Sequence, residues 1–365
     1  MILSDLSLAQ MQDYVKGQGL PAFRGKQLFD AIYSAKSFDE VTNLPKNMPQ
    51  EIKESYPKYK IYQKYVSKDG TIKYLFAFDD GNIVEGVLMN YKYGHTLCLS
   101  TQVGCRMGCK FCASTLHGLV RNLSAGEMLG QVLLVNRDLG GRGKERKITN
   151  LVLMGSGEPL DNYDNVTTFL KLVSAKEGLN ISQRNISLST CGIVENIYRL
   201  ADDGFSVTLT ISLHASNDLS RRKSMPIANK YSIKEIIDAC KYYFEKTGRR
   251  IVFEYVLISG ENDKDENAQE LAHLLRGFPS HINVIPLNKV AERTIVGDDR
   301  AKCYDFAGKL EKLGLSATVR RTMGEATRCL EVKNEGTGYQ KKCRPFFCAK
   351  RKWSCKSKKQ KKHEK

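Results

Sequence analysis

The 365-residue sequence has no long apolar segment, and no hydrophobic run approaches the ~18 residues that a membrane-spanning helix needs. Residues 1–6 (MILSDL) lack the basic region followed by an apolar stretch that marks a secretory signal. The sequence also lacks the composition of a disordered chain, since 41% of its residues are hydrophobic and 27% are charged. We therefore expect a folded, monomeric, cytoplasmic protein of about two domains that does not bind a membrane.

Cysteine and positive charge are abundant. In a reducing compartment the eleven cysteines favour metal, cluster or redox chemistry over a disulfide scaffold. The net charge of +17 favours an anionic partner, most simply nucleic acid. Residues 341–365 hold 12 Lys and Arg against one Glu, so the rest of the chain carries only +6. Because such a block repels itself, we expect a tail there.

Two kinds of periodicity divide the first half of the chain. Helical spacing predicts a helix that Ser7 caps and that runs through Met11 and Val15, followed by helices near 23–35 and 49–56. Residues 61–66, 72–78 and 83–89 alternate instead, and turn residues separate them, which predicts antiparallel hairpins.

The rest of the chain alternates between strand and helix patterns. Six βα repeats predict parallel strands with right-handed crossovers and a functional edge at their carboxyl ends. Six are fewer than the eight of a closed barrel, so a partial barrel and an open sheet both fit. The predicted strands are 96–101, 148–154, 185–190, 206–213, 251–257 and 282–286, and the predicted helices are 125–139, 163–175, 195–202, 233–246, 266–275 and 300–313.

The strongest chemical signal is a CxxxCxxC motif, Cys105, Cys109 and Cys112, which follows a predicted strand. Three thiolates in one loop can ligate three irons of a [4Fe–4S] cluster and leave the fourth iron open for chemistry. The alternative, a zinc knuckle, needs a fourth ligand and usually pairs of CxxC.

The motif resembles that of the radical S-adenosylmethionine (SAM) superfamily. The resemblance implies that the open iron binds SAM and that reduction of the cluster cleaves SAM to methionine and a 5′-deoxyadenosyl radical. It also implies a partial (β/α)6 barrel, an α/β fold related to the TIM barrel. Polar residues at later strand ends agree, although each alone fits a capped turn equally well. These residues are Gly157 and Glu158, Ser189, Ser212 to His214, and Asn288.

A narrower resemblance covers most of the chain, from about Leu8 to Thr322. It is to the RlmN/Cfr family of radical SAM adenosine methyltransferases of ribosomal RNA. It rests on residues 23–27 (FRGKQ), 97–105 (LCLSTQVGC), 157–160 (GEPL), 212–215 (SLHA), 225–227 (MPI), 254–257 (EYVL) and 283–288 (NVIPLN). It implies a cluster on the three motif cysteines, Glu85 as proton acceptor, and SAM contacts at Gly157, Glu158, Ser189, Ser212, Leu213, His214 and Asn288.

The chemistry of this family uses two further cysteines. Adenine C2 is electron-poor and not nucleophilic, so ordinary displacement on the SAM methyl group cannot methylate it. In the family a C-terminal cysteine carries the methyl group to the base as an S-CH2 radical, and a second cysteine removes the ring proton and closes a disulfide that releases the product. Cys98 matches the second cysteine. Cys329 is the candidate methyl carrier, although it lies five residues after Gly324 rather than about seven and lacks the Gly-Gln-Leu that follows in the family.

The tail departs from the family pattern. Together with Cys329, the tail cysteines Cys343, Cys348 and Cys355 are enough for a zinc site or a second cluster. An RNA-binding tail with incidental cysteines, in which Phe346, Phe347 and Trp353 stack on bases, fits equally well. Cys191, Cys240 and Cys303 are interpreted as packing residues.

The leading hypothesis is a methyltransferase of adenine C2 in 23S rRNA, with tRNA as a further candidate substrate and flavodoxin or ferredoxin as electron donor. Cfr-like methylation of C8, a radical SAM enzyme with an auxiliary tail metal site acting on another substrate, and a non-catalytic iron–sulfur RNA-binding protein are the alternatives. The expected organisation is a helical RNA-binding module (1–60), which offers Arg24, Lys26 and Lys46, a β-hairpin extension (61–94), the radical SAM core (95–325) and a basic cysteine-containing tail (326–365).

Overall fold

A computed structural model describes residues 2–45, 47–287, 292, 295 and 297–321. Predictions that concern Lys46, Asn288, Cys329 and the cysteine-containing tail lie outside the described residues. None of the helices in the described part of the chain is long and apolar enough to cross a membrane.

The helical module at the N terminus has the three predicted helices: α1 (Leu8–Gly17), α2 (Ala22–Tyr33) and α3 (Gln50–Ser55). Ser7 caps α1 as expected, because its hydroxyl accepts the N–H of Gln10 while the Gln10 side chain accepts the N–H of Ser7. The module packs against the rest of the protein. The Tyr33 hydroxyl donates to the carbonyl of Leu172 at 3.0 Å, and the apolar faces of α1 and α2 belong to the main hydrophobic core.

The three alternating segments form strands β1 (Lys60–Val66), β2 (Ile72–Ala77) and β3 (Ile83–Tyr91), paired antiparallel as predicted. They are not an isolated hairpin unit. Strand β3 pairs antiparallel with β4 (Gly94–Cys98), which begins the parallel part of the same sheet. This pairing places Val87 of β3 directly opposite Cys98.

A small hairpin, β5 (Gln102–Gly104) and β6 (Leu119–Asn122), follows β4 and is separate from the main sheet. The remaining elements follow the predicted six βα repeats, with one additional short helix. They are α4 (Ala125–Asp138), β7 (Ile148–Leu153), α5 (Tyr163–Ser174), β8 (Ile186–Thr190), α6 (Val194–Asp202), β9 (Thr208–Ser212), α7 (Asp218–Ser224), α8 (Ile233–Thr247), β10 (Ile251–Leu257), α9 (Asp265–Leu274), β11 (Ser280–Pro286), α10 (Arg300–Lys312) and β12 (Ala317–Val319). The additional helix is α7, between β9 and α8.

The main sheet has ten strands in the order β1-β2-β3-β4-β7-β8-β9-β10-β11-β12. All pairings from β4 to β12 are parallel, so the carboxyl ends of seven strands meet at one edge. The seventh, β12, was not predicted because three residues are too few to show a period. Strands β1 and β12 end the sheet without pairing with each other in the described residues, which agrees with a partial barrel.

Candidate active site

A pocket opens at the carboxyl ends of the parallel strands, the edge that the βα pattern indicated. Residues from every one of these strands or from the loop that follows it line the pocket. They include Cys98, Met154, Gly157, Glu158, Ser189, Ser212, His214, Glu254, Pro286 and Arg320, together with the three motif cysteines. The fold therefore brings most of the sequence-predicted site residues to one cavity.

The cysteine motif occupies the loop that joins β5 to β6. The Cys105 N–H donates to the carbonyl of Gly118 at 2.9 Å, which closes the loop at its base. Gly104 makes this approach possible, because it has φ +77° and an added Cβ would lie 2.0 Å from the Gly118 oxygen. At the far side, the Lys110 N–H donates to the carbonyl of Ser224 in α7. These two hydrogen bonds hold the loop at its base and near its middle, beside the pocket.

The three motif thiols suit a cluster better than a single metal ion. None of the three forms a disulfide with a described residue, and charge repulsion from Cys112 raises the pKa of both Cys105 and Cys109. Burial raises the pKa of Cys105 to about 12, so ligation must drive loss of its proton. Three thiolates in one loop match the three protein ligands of a cluster with one open iron, whereas a zinc site needs a fourth ligand.

Glu158 is buried at the end of the β7 strand-loop segment. One carboxylate oxygen accepts the N–H of Leu160 at 3.0 Å and the other accepts the N–H of Cys191 at 2.7 Å. Burial nevertheless raises the pKa of Glu158. The Thr190 and Cys191 side chains also hydrogen-bond to this carboxylate, so its partners within the chain fix its orientation. Its position in the pocket fits acceptance from a bound ammonium group.

The glycines around Glu158 serve packing within the chain as well as access to the pocket. Gly157 has φ +110°, and an added Cβ would lie 2.7 Å from the Gln102 backbone. Gly155 approaches the carbonyl of Leu99 equally closely. The sequence suggested close approach to a ligand, whereas the structure shows that the chain's own segment after β4 is the near neighbour.

Two residues that the motif analysis did not single out complete the pocket wall. Glu254 in β10 is buried, and its carboxylate accepts from Arg320 at 3.1 Å and from Ser189 at 3.5 Å. The Ser189 and Ser212 hydroxyls lie 3.4 Å apart. The signal for Glu254 was a charged residue inside the apolar run 251–257. Arg320 gave no local signal, because its role depends on the unpredicted strand β12.

His214 is held as a neutral ring in the pocket. Its backbone is left-handed at φ +55°, and its Nδ1 accepts the N–H of Val256 at 3.1 Å. Burial, helped by the charge of Arg221, lowers the pKa of His214 to about 3. The proton of the ring therefore lies on Nε2, which can donate but cannot act as an acid at neutral pH. The neighbouring Leu213 is fully buried and does not line the pocket; its N–H donates to the carbonyl of Glu254 and its carbonyl accepts from Arg221.

Cys98 lines the pocket beside an apolar patch formed with Val87 and Met89. Burial raises the pKa of Cys98 to about 12, while the charge of Arg320 opposes that rise. Glu85 is close enough to act on Cys98 electrostatically but does not line the pocket, and it pairs with the buried Lys73 at 3.4 Å. The structure thus places Cys98 at the site and leaves the role of Glu85 as a prediction.

The three cysteines interpreted as packing residues occupy two environments. Cys240 and Cys303 lie fully buried in the main core. Cys191 is different, because it lies in a small cluster with Cys109 and Met225 and lines the pocket.

Replacing Glu158 by glutamine should weaken SAM binding. The amide cannot accept at both oxygens, so it either loses a bond to Leu160 or Cys191 or fails to accept from an ammonium group. A hydrogen bond to a charged group contributes about 1.5–3 kcal/mol, which corresponds to a roughly 10–100-fold rise in the SAM dissociation constant. Calorimetry on the cluster-loaded protein measures this change.

Glu127→Gln is the matched control for that variant. Glu127 is also a buried glutamate that accepts a backbone N–H, from Ser124, but it caps α4 and is absent from the pocket lining. We expect it to lower stability and to leave SAM affinity unchanged. Equal SAM affinity in the Glu158→Gln variant and the parent would remove Glu158 from the ligand site.

Two family models match the chain. The radical SAM superfamily model matches residues 99–272, and the model of the ribosomal RNA large subunit methyltransferase N-terminal domain matches residues 1–56. The first match includes the cysteine loop and most of the strand-end residues of the pocket. The second coincides with the helical module.

Curated relatives and a solved structure match nearly the whole chain. Proteins described as probable dual-specificity RNA methyltransferase RlmN from Clostridium perfringens and Alkaliphilus oremlandii are 52% and 51% identical. Each match covers 88% of this chain, and 92% and 94% of the two relatives. A radical SAM methyltransferase from Sphaerobacter thermophilus has 41% identity and a TM-score of 0.83, covering 89% of this chain and 96% of its own.

Proposed function

The chain belongs to the RlmN family of radical SAM RNA methyltransferases, and we propose that it methylates C2 of adenine in 23S rRNA, with tRNA as a further substrate. The observation that carries the proposal is that Cys98 lines the same pocket as Cys105, Cys109 and Cys112. A fourth thiol beside the cluster loop, outside the CxxxCxxC motif, matches a reaction that needs both a radical source and a proton-accepting cysteine.

The cofactors are a [4Fe–4S] cluster and SAM. The cluster, when bound and reduced, supplies the electron that cleaves SAM. We assign its ligands as Cys105, Cys109 and Cys112. Of the predicted SAM contacts, Gly157, Glu158, Ser189, Ser212 and His214 line the pocket, and Leu213 does not. Asn288, the remaining predicted contact, lies outside the described residues.

We also propose how the site handles the base. Cys98 faces the pocket from β4 beside Val87 and Met89, where burial favours its protonated thiol and the charge of Arg320 favours its thiolate. Burial also makes the thiolate a strong base, so Cys98 must first lose its proton before it accepts the ring proton and forms the disulfide that releases the product. The methyl carrier assigned by the family pattern, Cys329, lies outside the described residues, and so does any contact between the two.

RNA is the expected macromolecular partner. In the helical module Arg24 is tied to the carbonyl of Asn43 at 3.1 Å, and Lys26 pairs with Asp30. Phe23 is 54% exposed with the Arg24 guanidinium 4.6 Å from its ring centre, which suits stacking on an unpaired base.

A ribosomal RNA substrate supports action in the cytoplasm. A flavodoxin or ferredoxin electron donor and a monomeric state remain parts of this proposal.

The nucleoside product tests the proposal directly. Reduced, reconstituted enzyme is incubated with protein-free 23S rRNA, or with tRNA, and methyl-labelled SAM, and the digested RNA is analysed by mass spectrometry. We expect 2-methyladenosine. The appearance of 8-methyladenosine would select the Cfr-like reaction instead. If neither forms while deoxyadenosine is still produced, the chain is a radical SAM enzyme of another substrate.

Deleting residues 349–365 should weaken RNA binding, because fewer phosphates are then neutralised. The deleted segment contains nine Lys and Arg against one Glu, so its removal lowers counterion release on binding. The slope of log affinity against log salt concentration should become flatter, by ~0.7–0.9 for each phosphate that the shortened chain no longer neutralises. Filter binding over a salt series measures it, with Arg222→Gln as a single-charge control. An unchanged slope would exclude a phosphate-binding tail.

A further inference from the structure

Arg221 is a fully buried arginine in α7, directly beside the cysteine loop. Its guanidinium donates to three backbone carbonyls at the ends of β8 and β9. These are Leu213 at 3.2 Å, Cys191 at 2.6 Å and Ser212 at 3.4 Å. Arg221 therefore ties together the strand ends that carry the predicted SAM contacts.

The positive charge of Arg221 has no paired anion. In the described residues no carboxylate forms an ion pair with it, and its Nη1 is buried without a hydrogen-bond partner. Burial lowers the pKa of Arg221 and the charge of Asp218 opposes that shift, but Asp218 forms no ion pair with it in the described residues. The Asp218 carboxylate accepts the N–H of Ile233 instead. The three carbonyls solvate the guanidinium without neutralising it, so an anionic group beside it would stabilise the buried charge.

The groups that face Arg221 identify where such an anion would lie. Cys109 and Cys191 are electrostatically coupled to the guanidinium, and each thiolate would stabilise it. His214, the other titratable neighbour, is neutral. Cys109 is the central cysteine of the proposed cluster motif. A cluster of core charge 2+ on three thiolates carries a net charge of about −1, which becomes about −2 on one-electron reduction.

We infer that Arg221 is the counter-cation of the cluster and stabilises its reduced form. The inference rests on the proposed assignment of the cluster to Cys105, Cys109 and Cys112. The reduced cluster carries the larger negative charge, so a fixed buried cation favours reduction more than it favours the oxidised state. Arg221 is thus a positioning residue that sets how readily the site accepts its electron.

Two substitutions at position 221 separate charge from hydrogen bonding. Arg221→Gln removes the charge but keeps an amide that donates to the strand-end carbonyls. Arg221→Lys keeps the charge and loses the forked geometry. The matched control is Arg222→Gln, which removes one positive charge from the adjacent, exposed position. All variants are purified as full chains without oxygen and assayed for iron.

The readout is the cluster's midpoint potential, from a redox titration followed by electron paramagnetic resonance without SAM or RNA. For Arg221→Gln we expect the ratio of reduced to oxidised cluster at a fixed potential to fall about tenfold, a shift of about 59 mV for one electron. Arg221→Lys and Arg222→Gln should stay within about twofold of the parent, or about 18 mV by the same constant.

Every other outcome also either supports or overturns the inference about Arg221. Iron loading by Arg221→Lys but not by Arg221→Gln would support the charge role, since the cluster then needs the cation to bind. An unshifted potential in iron-loaded Arg221→Gln would overturn the inference, as would failure of both variants to load iron, which would assign Arg221 to the fold of the strand ends. A parent chain that binds no cluster would instead refute the proposed ligands, independently of Arg221.

Discussion

The Cys109→Ala variant is expected to lose the cluster and, with it, all radical chemistry. Cys109 is buried in the loop between β5 and β6, and a cluster on three thiolates has no spare ligand. Iron should fall from about four per chain to less than one. Deoxyadenosine formation and RNA methylation should fall to background, since both need the electron that the cluster delivers. Iron analysis and chromatography of the nucleosides measure these changes.

Cys240→Ala is the control for that variant. Cys240 is a buried thiol in α8 that belongs to the main core and is absent from the pocket lining. Its truncation should cost about 1 kcal/mol of stability and leave iron and activity intact. Retention of the cluster by Cys109→Ala would contradict the ligand assignment.

The metal content of the parent protein tests the proposed tail site. About four irons per chain without zinc would exclude a metal site in the tail, whereas additional iron or zinc would support it.

The Cys98→Ala variant is expected to stop the reaction after the base has been attacked. Deoxyadenosine should still form, because the cluster ligands are untouched. Methylated product should fall to background, because no thiol remains to take the ring proton and release the adduct as a disulfide. A covalent protein–RNA species should accumulate, and a nuclease-sensitive shift of the protein band with labelled RNA on a denaturing gel detects it.

Two further variants make the Cys98 experiment specific. Cys303→Ala removes a buried core thiol that is absent from the pocket lining and should behave like the parent. Adding Cys329→Ala to Cys98→Ala should abolish the adduct if Cys329 carries the methyl group. An adduct that survives in the double variant would exclude Cys329, and normal methylation by Cys98→Ala would remove Cys98 from the mechanism.

Periodicity predicted the elements well. The six βα units begin and end within a few residues of their predicted bounds, because strand and helix patterns are local properties of the chain. What the patterns did not reveal is pairing. The attachment of β1, β2 and β3 to the parallel sheet depends on hydrogen bonds between β3 and β4, and β12 is defined by its pairing with β11.

The site was predictable to a different degree for each residue. The cysteine motif needs only sequence spacing, since its three ligands lie in one loop. Glu158, Ser189, Ser212 and His214 were expected at strand ends, and the structure brings them to the same pocket. Arg221 and Arg320 were missed. Each acts through backbone carbonyls or a carboxylate that lie far away in the sequence.

The sequence by itself determined the order and type of the elements, the cysteine loop and the family to which the chain belongs. The tertiary structure alone decided the electrostatics of the site. It lowers the pKa of His214, buries Arg221 without an ion pair to any described residue, and raises the pKa of Cys98. The reason is physical: a residue's period along the chain is local, whereas its loss of water and its charged neighbours depend on which segments the fold packs against it.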